Sequence, residues 1–291
     1  MNRPSVEIAV DGGPGFGFGH LSRSQTLAKA LMDAGAEVAF SPRSVIAAGA
    51  VSAWPRAHGA ETLLVLDLPY ADDQAIGAAR GAARPVAVLD HVGLARADLA
   101  IRTDPRRIPM AARRCEYGLR YAMIRPEILA QTPSPGDYAL VCVGGSDLGD
   151  QGVAAADRLA ARGLRTFLAR GPLAAPLPSP PAGVDVRVTP PDLPALMAGC
   201  ALAVTNAGTT ALEAMALGKP VHVLAQTEAE HATAERFLAD GIILGVGLET
   251  LAVPDPDRTA GIAQAARAAV DGEGAGRVAA LILALAEKGA P

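Results

Sequence analysis

The stretch VEIAV-DGGPGFGFGH-LSRSQTLAKALMDAG, residues 6–35, sets the fold class. Four apolar residues, interrupted by Glu7, lead into a loop holding Gly12, Gly13, Gly15, Gly17 and Gly19. Leu27, Ala28 and Leu31 then recur at helical spacing, and Gly35 stands where a helix C-cap belongs. Strand, glycine loop and helix in that order predict the first half of a βαβ unit.

The pattern repeats downstream. EVAFS, TLLVLD (62–67), PVAVLD (85–90) and LAIR (99–102) read as buried strands, and two of them end in aspartate, Asp67 and Asp90. The stretch AQTPSPGD (130–137) combines two prolines, a glycine and small polar residues, and reads as a linker. A second series follows. Its strands are YALVCV (138–143), RTFLA, VDVRV, LAVT and PVHVL, with helices over about 151–162, DLPALMAGC, TTALEAMAL and about 229–240. GRVAALILALAEK (276–288) closes the chain as an amphipathic helix. Apolar strands alternating with helices, without hairpin turns, predict parallel sheets. At 291 residues, two α/β domains in tandem fit the length. In such sheets ligands bind beyond the carboxyl ends of the strands, so the loops after strands carry the chemistry.

Composition narrows the function. Net charge is −4 and aromatics are 3% of residues, so the chain lacks the basic, aromatic platforms of a nucleic-acid binder. No apolar run reaches the ~18 residues of a membrane span, and the N-terminus does not read as a signal peptide. Cys115, Cys142 and Cys200 are far apart and odd in number, which fits a reduced cytoplasmic protein without a disulfide framework or zinc site.

Four strand-end loops stand out. In the first, no starting glycine completes GxGxxG, and the chain's Gly218-Lys219 is followed by Pro220 rather than Ser or Thr, so neither a dinucleotide fingerprint nor a P-loop is present. What remains is a glycine-lined turn at a helix N-terminus, where free N–H groups favour an anion. His20 sits at its mouth as a proton carrier, and Arg23 follows one turn on. A tight turn with a capping histidine would account for the same residues. The second loop, Gly144-Gly145-Ser146-Asp147, is no nucleophile elbow, and its N–H groups and hydroxyl would suit a phosphate, or it is an ordinary capped turn. The third opens with Asn206 and runs through Gly208, Thr209 and Thr210 to Glu213. That suits phosphate on the N–H groups and ribose on the carboxylate; Thr209 as a cap and Glu213 as a dipole partner explain it equally. The fourth places Glu228, Glu230 and His231 in a helix's first turn, which by itself reads as a solvated face. Asp67 and Asp90 are helix caps or ligand-facing residues.

Together these loops resemble a known pattern. Asp11…Phe16-Gly17-x-Gly19-His20-x-x-Arg23-x-x-x-Leu27-Ala28 is similar to the N-terminal signature of the pseudaminic-acid-pathway UDP-sugar hydrolases and their relatives in spore-coat polysaccharide synthesis. YAMIRPEIL (121–129) and the Gly-Gly-x-Asp loop match two further segments of that family. NAGTTALEAMALGKP resembles the donor-nucleotide motif of the same family and of the peptidoglycan N-acetylglucosaminyltransferase. The resemblance spans about residues 6–245. It implies a GT-B architecture: two Rossmann-like domains whose parallel sheets face an interdomain cleft. The implied division is 1–132, carrying the catalytic histidine loop; 137–275, binding the UDP-sugar; and 276–291, a helix crossing back onto the first domain.

The roles implied are specific. His20 would activate or orient water at the anomeric carbon. Gly17 and Gly19 would let the backbone approach the sugar phosphate, with Asp11 and Arg23 beside them. Gly145 and Ser146, with Gly208 and Thr209, would hold the diphosphate, and Glu213 the ribose, with Gly144, Asn206 and Thr210 beside them as binding candidates. Tyr121, Arg125, Glu228 and His231 complete the candidate set. The expected reaction is hydrolysis of a UDP-activated amino-deoxy sugar, with neither metal nor cofactor. Transfer to an organic acceptor is the first alternative and non-catalytic nucleotide-sugar binding the second. The sequence departs from the hydrolase pattern where Glu228 is followed by Ala229-Glu230-His231 rather than an Asn-Gln pair, and where Ala9 and Val10 replace an arginine before Asp11.

Overall fold

The computed structural model describes residues 3–14, 16–59, 61–90, 93–104, 106–145, 147–253 and 255–288. The chain divides into two compact units, residues 1–123 with 272–291, and residues 124–271.

The first unit holds β1 (Ser5–Val10), α1 (Gly19–Asp33), β2 (Glu37–Pro42), α2 (Val45–Ala50), β3 (Leu63–Asp67), α3 (Asp73–Gly81), β4 (Val86–Leu89), β5 (Ala97–Arg102) and β6 (Ala112–Tyr117). All six strands pair in parallel, in the order β2-β1-β3-β4-β5-β6. The chain leaves β1 to one side for β2 and returns past it to β3, so the switch point lies between β1 and β3. Register places Val10 opposite Asp67, so the glycine loop begins level with the end of β3. One face of the sheet buries Val6, Ile8, Val10 and Val65 with Leu27 and Leu31 of α1. Strand β6 was not among the strands read from sequence. ARRCEY is half charged, and Arg113 and Arg114 are exposed on the sheet's edge, where charge protects against further pairing.

The second unit holds α4 (Pro126–Leu129), β7 (Tyr138–Cys142), α5 (Gln151–Ala160), β8 (Arg165–Arg170), β9 (Val184–Val188), α6 (Leu193–Ala198), β10 (Leu202–Thr205), α7 (Thr209–Ala216), β11 (Val221–Val223), α8 (Glu228–Ala239), β12 (Gly245–Val246) and α9 (Pro256–Ala269). Its sheet is also parallel, ordered β12-β11-β10-β7-β8-β9. Counted from β7 this is the 3-2-1-4-5-6 Rossmann order, with its switch point between β7 and β10. Thr205 of β10 stands opposite both Cys142 and Val223, so the loops leaving β7, β10 and β11 start level with one another. The stretch 130–137 is fastened to this unit: Ser134 N–H donates to the Ala198 carbonyl, and the Lys219 ammonium donates to the Ser134 carbonyl at 2.7 Å.

Gly274–Lys288 forms α10, which packs on α1 with Val278, Ala279 and Ile282 fully buried. A Cβ at Gly274 would run into the Ala122 backbone, so glycine permits that approach.

Candidate functional site

Helical spacing builds the cluster in the first unit. His20, Arg23 and Ser24 lie at i, i+3 and i+4 of α1 and therefore share a face. That face sits over the end of β3. The carboxylate of Asp67, 0% exposed, accepts from His20 Nδ1 at 2.7 Å, from Arg23 Nε and Nη2, and from the Ser24 hydroxyl at 2.6 Å. Arg23 Nη1 reaches on to Asp90. The Arg23 guanidinium also lies 3.1 Å from His20 Nδ1. A guanidinium only donates, and a lone pair on Nδ1 would face the Asp67 oxygen at the shorter distance. The proton therefore sits on Nδ1, pointed at Asp67, and Nε2 is left as the basic nitrogen.

Burial alone would raise the Asp67 carboxyl, but Arg23 and then His20 more than offset it and hold it well below the usual carboxylate range. Burial alone would lower Arg23; Asp67 and then Asp90 drive it upward instead. The pair is thus charged at every working pH. Arg23 Nε, Nη1 and Nη2 each donate to one of the two aspartates.

The glycine loop closes on itself before α1. Gly13 and Gly17 exchange backbone hydrogen bonds at 2.8 Å, with φ of +129° and +74° that only glycine adopts freely. Helix α1 starts at Gly19 without a side-chain cap. Asp11 braces the loop from behind. It accepts from Gly12 N–H, from the Ser44 hydroxyl at 2.6 Å and from the Tyr70 hydroxyl at 2.9 Å. Ser44 also caps α2. Burial would raise the Asp11 carboxyl, but Ser44, Gly12 and Tyr70 together hold it below its ordinary value. Burial and then the Asp11 carboxylate push the Tyr70 phenol up to about 12. The Phe16 ring lies 6.0 Å from the Tyr70 ring, and the two are 51% and 37% exposed. Tyr121 is not part of this cluster: it is buried, with its hydroxyl on Glu116 at 2.6 Å.

In the second unit, level strand ends bring three loops together. The Asn206 side chain is the nearest group to a Cβ built on Gly144 and to one built on Gly208, at 3.4 and 3.2 Å. Asn206 Nδ2 donates to Glu230 at 2.6 Å, whose other oxygen accepts Gln226 N–H. The Gln226 amide reaches back to the Val143 carbonyl at 2.7 Å. Helix α7 begins at Thr209 with Gly208 as N-cap and without a side-chain cap, so the hydroxyls of Thr209 and Thr210 do not close its N-terminus. Gly145 accepts from Leu173 N–H. Ser146 lies outside the described residues. Glu213 is buried and paired with Arg125: Nε donates to Oε1 and Nη2 to Oε2 at 2.9 Å. The hydrogen bond from Arg125 to Glu213 raises the arginine further. Glu228 and His231 stay exposed on α8, and His231 lies 3.4 Å from Glu235.

The residue between them, Glu230, does the bridging, and sequence reading gave it no role. Ser24, Ser44 and Tyr70 were also missed; Ser24 was legible as the residue one turn beyond His20. The cysteines are free, and burial pushes the thiols of Cys142 and Cys200 up to about 11 and about 12, which leaves them inert at neutral pH. Among the described residues no group of three or more His, Cys, Asp or Glu is arranged to hold a metal, and no helix is long and apolar enough to cross a membrane.

No family model and no curated protein matches the sequence. Solved structures do match in shape. MurG of Acinetobacter baumannii superposes with a TM-score of 0.61 at 15% identity, over 98% of this chain and 100% of that one. A putative UDP-N-acetylglucosamine 2-epimerase from Listeria monocytogenes gives 0.62 at 15%, over 99% and 98%. The glycosyltransferase SsfS6 of Streptomyces sp. SF2575, complexed with thymidine diphosphate, gives 0.59 at 14%, over 97% and 100%. At these identities the likeness establishes the fold, which is GT-B.

Proposed function

We propose that this chain hydrolyses a nucleoside-diphosphate sugar, with His20 as general base toward water at the anomeric carbon. The observation that carries the reading is the buried Asp67 carboxylate fixing His20 through Nδ1 at 2.7 Å, which leaves Nε2 free to take a proton. Within the network of His20, Arg23, Ser24, Asp67 and Asp90, the two aspartates carry two negative charges against one on Arg23. An imidazolium forming on His20 therefore meets a net negative surrounding. General-base action of this kind is worth roughly 10²–10⁴-fold.

The diphosphate is a stabilised leaving group, so the main demand on the protein is to hold its charge. The uncapped start of α7, the Gly144–Gly145 turn and Arg125 supply N–H groups and a cation for it. Glu213 acts first as the side chain that orients Arg125 and second as an acceptor for a ribose hydroxyl. Uridine as the base and an amino-deoxy sugar as the glycosyl group follow from the sequence resemblance. Gly17, Gly19 and Asp11 shape the loop in front of His20, with Asp11 as its brace.

A second reading, transfer to an organic acceptor, is favoured by one feature: the exposed, adjacent rings of Phe16 and Tyr70 beside the glycine loop. These rings offer an apolar surface that water does not need. The test follows UDP release from UDP-diacetamido-trideoxy sugars. Release in buffer alone, abolished by His20→Ala, supports hydrolysis. Release only on adding an acceptor supports transfer, and undiminished release by His20→Ala refutes both.

A further inference from the structure

Arg170 is the last residue of β8 and is 4% exposed. It shares a sheet face with Leu168, which packs on Ala155, Ala156 and Leu159 of α5. Its guanidinium therefore lies under the start of that helix. Among the described residues neither Nε, Nη1 nor Nη2 has a hydrogen-bond partner. A desolvated cation without acceptors is costly, and here the partial positive charge of a helix N-terminus adds to it. Both features call for an anion at one place.

The available carboxylates meet that need poorly. Asp150 Oδ1 lies 3.5 Å from Arg170 Nη2, an ion-pair distance without a hydrogen bond, and Asp150 is 65% exposed. It holds that position with φ of +52°, a left-handed conformation that aspartate, like asparagine, tolerates. Asp147 lies near enough for Arg170 to act on it electrostatically but does not bond to it: its Oδ1 accepts the Gly152 N–H at 2.8 Å, and its buried Oδ2 has no hydrogen-bond partner among the described residues. The glycine turn of Gly144 and Gly145 lies alongside, because a Cβ on Gly171, the residue after Arg170, would strike the carbonyls of both.

We propose that Arg170 is the buried counter-charge of a pyrophosphate site at the start of α5, and that Asp150 stands in the anion's place until a nucleoside diphosphate displaces it. This rests on the reading of the chain as a nucleotide-sugar enzyme and adds a binding residue and an internal competitor to it. The phosphate oxygens supply the acceptors that the guanidinium lacks, and Asp150 swings into solvent.

The test is calorimetric titration of the full chain with inorganic pyrophosphate and with UDP. Arg170→Met keeps the side chain's bulk without its charge and is expected to lose roughly 10- to 100-fold in affinity for both. Arg170→Lys is expected to recover part of that loss. Asp150→Asn tolerates the positive φ and removes the competing charge, so pyrophosphate should bind up to about fivefold more tightly. Met binding like wild type, Lys and Met losing equally, or Asp150→Asn failing to tighten binding each overturns the proposal. Should Arg170→Met not fold, as circular dichroism would report, the exposed Asp150→Asn variant decides. Wild-type protein that binds UDP while these variants make no difference refutes the Arg170 site alone. Wild-type protein that binds neither UDP nor pyrophosphate refutes the parent reading as well.

Discussion

Replacing Asp67 by asparagine tests the hydrogen-bond logic of the His20 network. Four donors converge on its two oxygens: His20 Nδ1 and Arg23 Nη2 on Oδ1, Ser24 Oγ on Oδ2, and Arg23 Nε between them. An amide offers one oxygen and one NH2 group in the same volume. If the NH2 faces Ser24, the hydroxyl can turn to accept, but Arg23 Nε meets a donor. If it faces His20, the ring must move its proton to Nε2 to accept, and the base is lost. Either way a buried guanidinium keeps only the partly exposed Asp90 as its counter-charge. Breaking a buried pair from one side costs about 3–5 kcal/mol, and Asp90 holds the effect near the lower end. For a domain of this size that is a fall in Tm of roughly 6–12 °C. The misdirected tautomer should lower kcat by about 10²- to 10⁴-fold, or roughly 3–5 kcal/mol of barrier. Thermal unfolding, UDP release and nitrogen NMR of the His20 ring read the three effects separately. An Asp67→Asn protein that loses Tm yet keeps kcat and the Nδ1–H tautomer would refute the argument.

The same carboxylate has a pH signature. Its folded pKa lies below the unfolded value, so its stabilisation is complete above about pH 4 and drains away as pH falls toward the folded value. Acid titration of Tm should show wild type losing stability faster than Asp67→Asn below about pH 4. Tyr70→Phe removes one donor from Asp11 and should cost about 1 kcal/mol, seen as a lower urea midpoint with unchanged slope. Gly12→Ala places a methyl 2.9 Å from the Leu21 side chain and 3.0 Å from the Gly17 carbonyl, and should lower Tm by several degrees. Glu230→Ala unties Asn206 and Gln226 at once, and should weaken UDP binding more than Glu228→Ala, which removes only an exposed side chain; equal effects in titration would count against the bridging role.

What sequence could and could not deliver follows from the range of the forces involved. Two tandem βα series were legible because apolar runs and glycine punctuation are local signals, and the two parallel sheets follow from them. The helical spacing of His20 and Arg23 was legible for the same reason. Their shared partner was not. Asp67 and Asp90 both read as strand-end carboxylates, but which of them lies beneath α1 depends on strand order, and the order β2-β1-β3-β4 is fixed by tertiary packing. That order makes Arg23 the cation of a network with both aspartates, a pairing that loop spacing alone did not show. The fourth loop makes the same point. Glu228, Glu230 and His231 look alike in a polar first turn. Only the level ends of β7, β10 and β11 put Asn206 within reach of Glu230 and leave its neighbours in solvent. A residue's chemistry is written in the chain, but its partner is chosen by register, and these loops act through partners drawn from distant strands. The exchange that tests this is Asn206→Asp. It sets two carboxylates 2.6 Å apart, and should raise the pH needed to ionise the pair and weaken UDP binding as pH climbs.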